Sequence, residues 1–60
     1  MNLVEANIKE IKKEKTIIVD GRTYVDVEVV VNMWGSIRTI NTKFRFSDWE
    51  EAKIKGYFLY

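Results

Sequence analysis

The sequence predicts an α+β domain, a three-stranded antiparallel β-meander with helices packed on one sheet face. Three observations predict it. The stretch Tyr24 to Phe46 alternates apolar and polar residues on both sides of Gly35-Ser36, the pattern of a long hairpin. Asp20-Gly21 separates two further apolar-alternating arms, and Asp-Gly suits the two positive φ angles of a type I′ turn. Ser47, Glu50 and Gly56 then bracket a short helix with start and stop residues in the right order.

In chain order, the first element is the most ambiguous. Val4, Ile8 and Ile11 recur at helical spacing, Asn2 with Glu5 fits a reciprocal cap, and Glu5 with Lys9 is a favourable four-apart pair. These predict a helix over residues 3–13, while the alternative makes residues 7–12 a fourth strand that turns near Lys13-Glu14-Lys15. Register arithmetic favours the helix. A strand continued backwards from Val19 would set Glu10, Lys12 and Glu14 on the core face, where unpaired charge is expensive.

Strands follow at about residues 15–19, 22–34 and 37–46. Closing the second hairpin at Gly35-Ser36, with Trp34 facing Ile37, sets Val25 opposite Phe46, Val27 opposite Phe44, Val29 opposite Thr42 and Val31 opposite Ile40. The other face pairs Asp26 with Arg45 and Glu28 with Lys43, each worth about 0.2–1 kcal/mol. The Asp20-Gly21 hairpin pairs Ile17 with Tyr24 and Lys15 with Asp26. The last helix spans residues 48–55, capped by Ser47, with Trp49 and Ala52 as its apolar stripe. Acids in its first turn and Lys53 and Lys55 in its last suit the helix dipole. The tail Tyr57-Phe58-Leu59-Tyr60 is too apolar to fray, so it pairs along a sheet edge, tucks under the helix, or docks on another subunit.

All 60 residues form a single small domain, and a chain this size buries only about 60% of its unfolded surface. It contains no Cys and no His, so neither disulfides nor the usual nitrogen and sulfur metal ligands reinforce it. A partner chain is the remaining way to enlarge the core, which makes homo-oligomerisation an expectation. Ten basic and nine acidic residues are mixed along the chain without a single-sign block. No apolar run is long enough to span a membrane and no signal-peptide core follows Met1, so the expected location is the cytoplasm.

Chemistry has little material. Nucleophilic sites most often use His as base, and it is missing along with Cys. Ser36 is accounted for by the turn and Ser47 by the cap. Asp26 and Glu28 share a face, compatible with acid–base work or a hard cation, but each faces a cation and reads better as a solvated charge ladder. No phosphate loop, EF-hand or dinucleotide fingerprint is present. The expectation is a non-enzyme without cofactor, catalytic residue or metal.

Two binding readings use the sheet's outer face. In the first, Tyr24, Val30, Trp34 and Ile37, with Arg38 as polar anchor, form a protein-binding patch. Its partner is a second copy or a host protein, with this chain as adaptor or inhibitor. The competing explanation is that Trp34 packs on Ile37 beside the turn. In the second, Trp34, Lys43 and Arg45 hold nucleic acid, as aromatics flanked by cations do on several sheet platforms. The small size, hairpins and terminal helix are similar in architecture to the archaeal chromatin proteins of the seven-kilodalton class. Those proteins are far more basic than this chain, whose net charge is +1. Since phosphate neutralisation supplies most non-specific affinity, protein binding is the preferred reading. The Lys- and Ile-rich composition suggests a phage or mobile-element accessory protein.

Overall fold

The structure, a computed structural model, describes residues 3–60. It is mostly antiparallel sheet: β1 (Glu5–Val19), β2 (Arg22–Met33), β3 (Ser36–Arg45), a helix α1 (Phe46–Lys55) and a short β4 (Tyr57–Leu59). The strands run in the order β3-β2-β1-β4, so the expected meander is present with a fourth strand added by the tail. Among the described residues, no helix is long and apolar enough to cross a membrane.

The helix expected over residues 3–13 is a strand, and it merges with the expected 15–19 strand into β1. The alternative turn at Lys13-Glu14-Lys15 is absent too, because these residues run on in register against Glu28, Val27 and Asp26. The Asn2 cap lies outside the described residues. Two irregularities in the β1–β2 ladder explain the misreading: one extra residue sits between Ile8 and Glu10 and another between Ile11 and Lys13. Each bulge restarts the alternation. Ile8 thus stands opposite Val31 and Ile11 opposite Val29, while Glu10 moves to the outer face opposite Val30. Inward positions spaced three apart imitate a helix in sequence.

Glu14 alone keeps the core-facing position that charge arithmetic forbids, opposite Val27. It lies at the open margin of the core, half-exposed, and accepts hydrogen bonds from the Trp49 indole N–H and from Lys53 Nζ at 3.1 Å. Those bonds, the indole's first, hold its carboxyl below the ordinary glutamate value.

The β2–β3 hairpin closes on Trp34-Gly35, not Gly35-Ser36. Both residues have positive φ (54° and 84°), a type I′ turn, and the Gly35 N–H donates to Asn32 Oδ1 at 2.8 Å. The register is therefore two residues off the expected one: Val25 faces Phe44, Val29 faces Ile40, Asp26 faces Lys43 and Tyr24 faces Arg45. A shift of two preserves faces, so the valine face is still the core. It ends β3 early, however, and Phe46 becomes the exposed first residue of α1. Arg45 occupies the N-cap without a side-chain bond, so the expected Ser47 cap does not form. The Asp20-Gly21 turn is as expected, with Ile17 opposite Tyr24 and Lys15 opposite Asp26.

The core is Ala6, Val25, Val27, Val29, Val31, Trp49, Ala52 and Phe58. Phe44 of β3 meets Phe58 of β4 edge-to-face at 4.9 Å, although these strands lie at opposite ends of the sheet order. The sheet therefore curls into a half-barrel. Trp49 stacks on Phe44 at 5.3 Å and closes it from α1. Gly56, with φ 85°, ends the helix by donating to the Ala52 carbonyl at 2.8 Å, and the chain returns along β1. Bonds between Val4 and Tyr60 in both directions seal that end.

Candidate interaction surface

Helix and core occupy most of the concave face, where a depression of about 480 Å³ remains between α1, Phe44 and β4, and the convex face and the strand edges are the more open surfaces. Alternation along β2 places Arg22, Tyr24, Asp26, Glu28, Val30 and Asn32 on the convex face. Their neighbours form rows across the sheet. From β1 to β3 these read Ile17–Tyr24–Arg45, Lys15–Asp26–Lys43, Lys13–Glu28–Asn41, Glu10–Val30–Thr39 and Asn7–Asn32–Ile37.

The rows separate the expected patch into two ends. Val30 and Ile37 lie near the Trp34-Gly35 turn, whereas Tyr24 lies ten residues along β2 from Trp34, on the order of 30 Å at ~3.3 Å per residue. Arg38 joins neither end: it stands opposite Val31 and belongs to the concave side. Trp34 is likewise parted from Lys43 and Arg45, which flank Tyr24.

The turn end is apolar. Trp34 is 87% exposed and Ile37 61% exposed, so the indole gains little burial against its neighbours. Trp34 also occupies a left-handed backbone conformation, φ 54°, uncommon for a bulky residue and better suited to Asn or Gly. Asn32 supplies the turn's side-chain hydrogen bond, and the indole supplies none. Folding does not explain this residue.

The Tyr24 end is cationic. Lys15, Arg22, Lys43 and Arg45 lie around Tyr24 and Ile17, with Asp26 among them and the Lys13–Glu28 pair one row further on. Lys13 and Glu28 approach to 3.9 Å. Among the described residues no carboxylate pairs with Arg22, Lys43 or Arg45 within 4.0 Å. A depression of about 450 Å³ lies beside them, lined by Arg22, Thr23, Tyr24, Arg45, Phe46 and Ser47. The balancing ion pairs cluster around α1 instead, where Lys53 bonds Glu14 and Glu50 at 3.1 Å and Lys55 bonds Glu51 at 2.6 Å. Segregation of charge is thus a property of the fold that segment counts along the chain conceal.

Sequence reasoning missed Lys13 and Arg22 as members of this end, whereas the correctly read Asp20-Gly21 register already placed Lys15 beside Asp26. It also missed the β3 edge, which becomes visible only with the strand order. Among the described residues no group of three or more His, Cys, Asp or Glu side chains is placed to hold a metal ion. No family model, curated protein or solved structure matches the chain.

Proposed function

We propose that this chain is a non-catalytic protein-binding module that acts through the Trp34 end of its sheet. One observation carries the reading: the largest apolar side chain of the surface is 87% exposed on a turn position whose φ of 54° disfavours it. A residue that is both strained and exposed lowers the stability of the free protein. Buried against a partner, an aromatic of this size contributes roughly 1.5–3 kcal/mol, and Ile37 and Val30 extend the patch. The partner is a host protein, bound in the manner of an adaptor or inhibitor, or a second copy.

Trp34→Asn tests the proposal because it separates folding from binding. Asparagine suits the left-handed turn position, so the variant should be more stable than the parent by about 0.5–1 kcal/mol in urea denaturation. It should also lose self-association in sedimentation equilibrium, or lose a protein that the parent captures. A variant that unfolds, or that is as stable as the parent and captures the same proteins, overturns the reading.

The cation cluster around Tyr24 favours one second reading, single-stranded nucleic acid laid across that end with Tyr24 as its stacking platform. It moves the nucleic-acid surface from Trp34 to Tyr24. Binding of labelled oligothymidylate should fall steeply with salt and with Arg45→Ala, and should be unaffected by Trp34→Asn. No binding at low salt ends it.

A further inference from the structure

We infer that the free edge of β3 accepts an extended acidic segment of another protein as a further antiparallel strand. The inference rests on the protein-binding reading and names the class of partner. Among the described residues β3 has a neighbour on one side only. Its ladder with β2 runs unbroken from Ser36 to Arg45, without a bulge, and the chain has no proline to interrupt it. Unbroken edges of this length pair readily, and most proteins shorten, kink or cover them.

The turn determines which groups are offered. In a two-residue hairpin the residues flanking the turn, here Met33 and Ser36, exchange both backbone bonds. Alternation from that pair turns the N–H and C=O groups of Ile37, Thr39, Asn41, Lys43 and Arg45 outward. The side chains of these residues lie on the convex face, so each outward backbone group carries a side chain that reads the incoming strand.

Charge selects the occupant. Across the sheet, the row Lys15–Asp26–Lys43 alternates in sign, and the next position in that row calls for a carboxylate. Arg45 stands beside Tyr24 and, among the described residues, has no acid within 4.0 Å. Ser36 to Arg45 contains Arg38, Lys43 and Arg45 but no Asp or Glu. A second copy pairing through its own β3 therefore supplies no counter-charge in any register, and the longest registers that match faces set Lys43 opposite Ile37 or Thr39. An antiparallel partner instead begins with acids opposite Arg45 and Lys43. It continues with polar or β-branched residues opposite Asn41 and Thr39, and ends with an apolar residue opposite Ile37, beside the Trp34 indole.

The test uses the full chain and a fluorescein-labelled peptide of about nine residues, enough to span β3 at ~3.3 Å per residue. Its first and third residues are glutamates, its middle alternates valine and threonine, and its last is leucine. Anisotropy should show saturable binding. The double variant K43E/R45E should weaken it about tenfold or more and should prefer the same peptide with lysines in place of its glutamates. Asn41→Pro, which removes an outward N–H and no hairpin bond, should weaken the original peptide while circular dichroism stays unchanged. Equal binding by the parent and K43E/R45E, or displacement of the peptide by oligothymidylate, overturns the inference. The two proposals fail separately. Loss of partners in Trp34→Asn with no effect of the charge reversal sinks the edge and leaves the turn, whereas inverted peptide preference with Trp34→Asn unchanged does the opposite.

Discussion

The two edges of this sheet are built in opposite ways. The β1 edge carries Lys9-Glu10-Ile11-Lys12-Lys13-Glu14-Lys15, is bent by two bulges, and is covered from Glu5 to Asn7 by β4. Bulges, dense charge and a covering strand are the devices that stop a strand from recruiting another. The β3 edge has no bulge and no covering strand, and its only charges are Arg38, Lys43 and Arg45. Its register is unbroken for all ten residues, and the turn before it carries an exposed tryptophan. In a chain with so small a core, protection on one side only is why we propose that the other side is the one used. The comparison also explains the curl: the bulges that blunt β1 increase its twist, and the curled sheet brings Phe58 to Phe44.

The protected edge depends first on Phe58. Its ring is buried between Phe44 and Tyr60, and it anchors β4 against Ala6. Phe58→Ala should cost about 3–5 kcal/mol, a large share of the stability of a domain this size, and should release β4. Hydrogen exchange would then show loss of protection at Val4, Ile8 and Tyr60, whose N–H groups bond across that seam, while the β2–β3 hairpin opens last. If exchange is uniform instead, the half-barrel opens as one unit and the two edges are not independent.

Glu14 is the next test, because it ties the β1 edge to α1. Glu14→Ala leaves the buried Trp49 indole N–H without its partner and should cost about 1–3 kcal/mol by urea denaturation. The pH dependence has a definite sign. The folded-state pKa of Glu14 is lowered, by the Trp49 bond first and Lys53 next, so its contribution is complete above the ordinary glutamate value of about 4.3 and is lost as pH falls through the folded value. Acid titration followed by Trp49 fluorescence should show this loss in the parent and not in Glu14→Gln, which cannot ionise. The same loss in both proteins would place the acid sensitivity elsewhere.

What the sequence makes legible follows from which residues have a conformational reason to be where they are. Asp20-Gly21 and Gly56 occupy left-handed positions that suit them, and both were readable. Trp34 occupies such a position against its preference, so the turn was misplaced by one residue and the register by two. Because two is the period of a strand, the core face of β2 was still assigned correctly while its cross-strand pairs were not. Lys9 and Lys12 carry no signal that marks a bulge, and without the bulges Ile8 and Ile11 have helical spacing. The site was half legible for the same reasons. Alternation places Val30 and Ile37 on the outer face, and the same rule, carried through, sets Arg38 on the face of Ile40 and Tyr24 at the far end of the strand from Trp34.

The smallest expected effect separates stability from association most cleanly. Lys9, Lys12 and Lys15 lie along the part of β1 that β4 leaves uncovered, and none takes part in an ion pair among the described residues. Replacing all three with threonine removes solvated charge and adds β-propensity, so denaturation should shift by no more than about 0.5 kcal/mol. If these lysines act against edge pairing, the variant should nonetheless self-associate at concentrations where the parent does not, as measured by light scattering. Adding K43E/R45E to it should leave that association intact, because it runs through β1. A triple variant that stays as dispersed as the parent would leave the bulges alone to account for the protection, and the asymmetry between the edges would then lie in backbone geometry rather than charge.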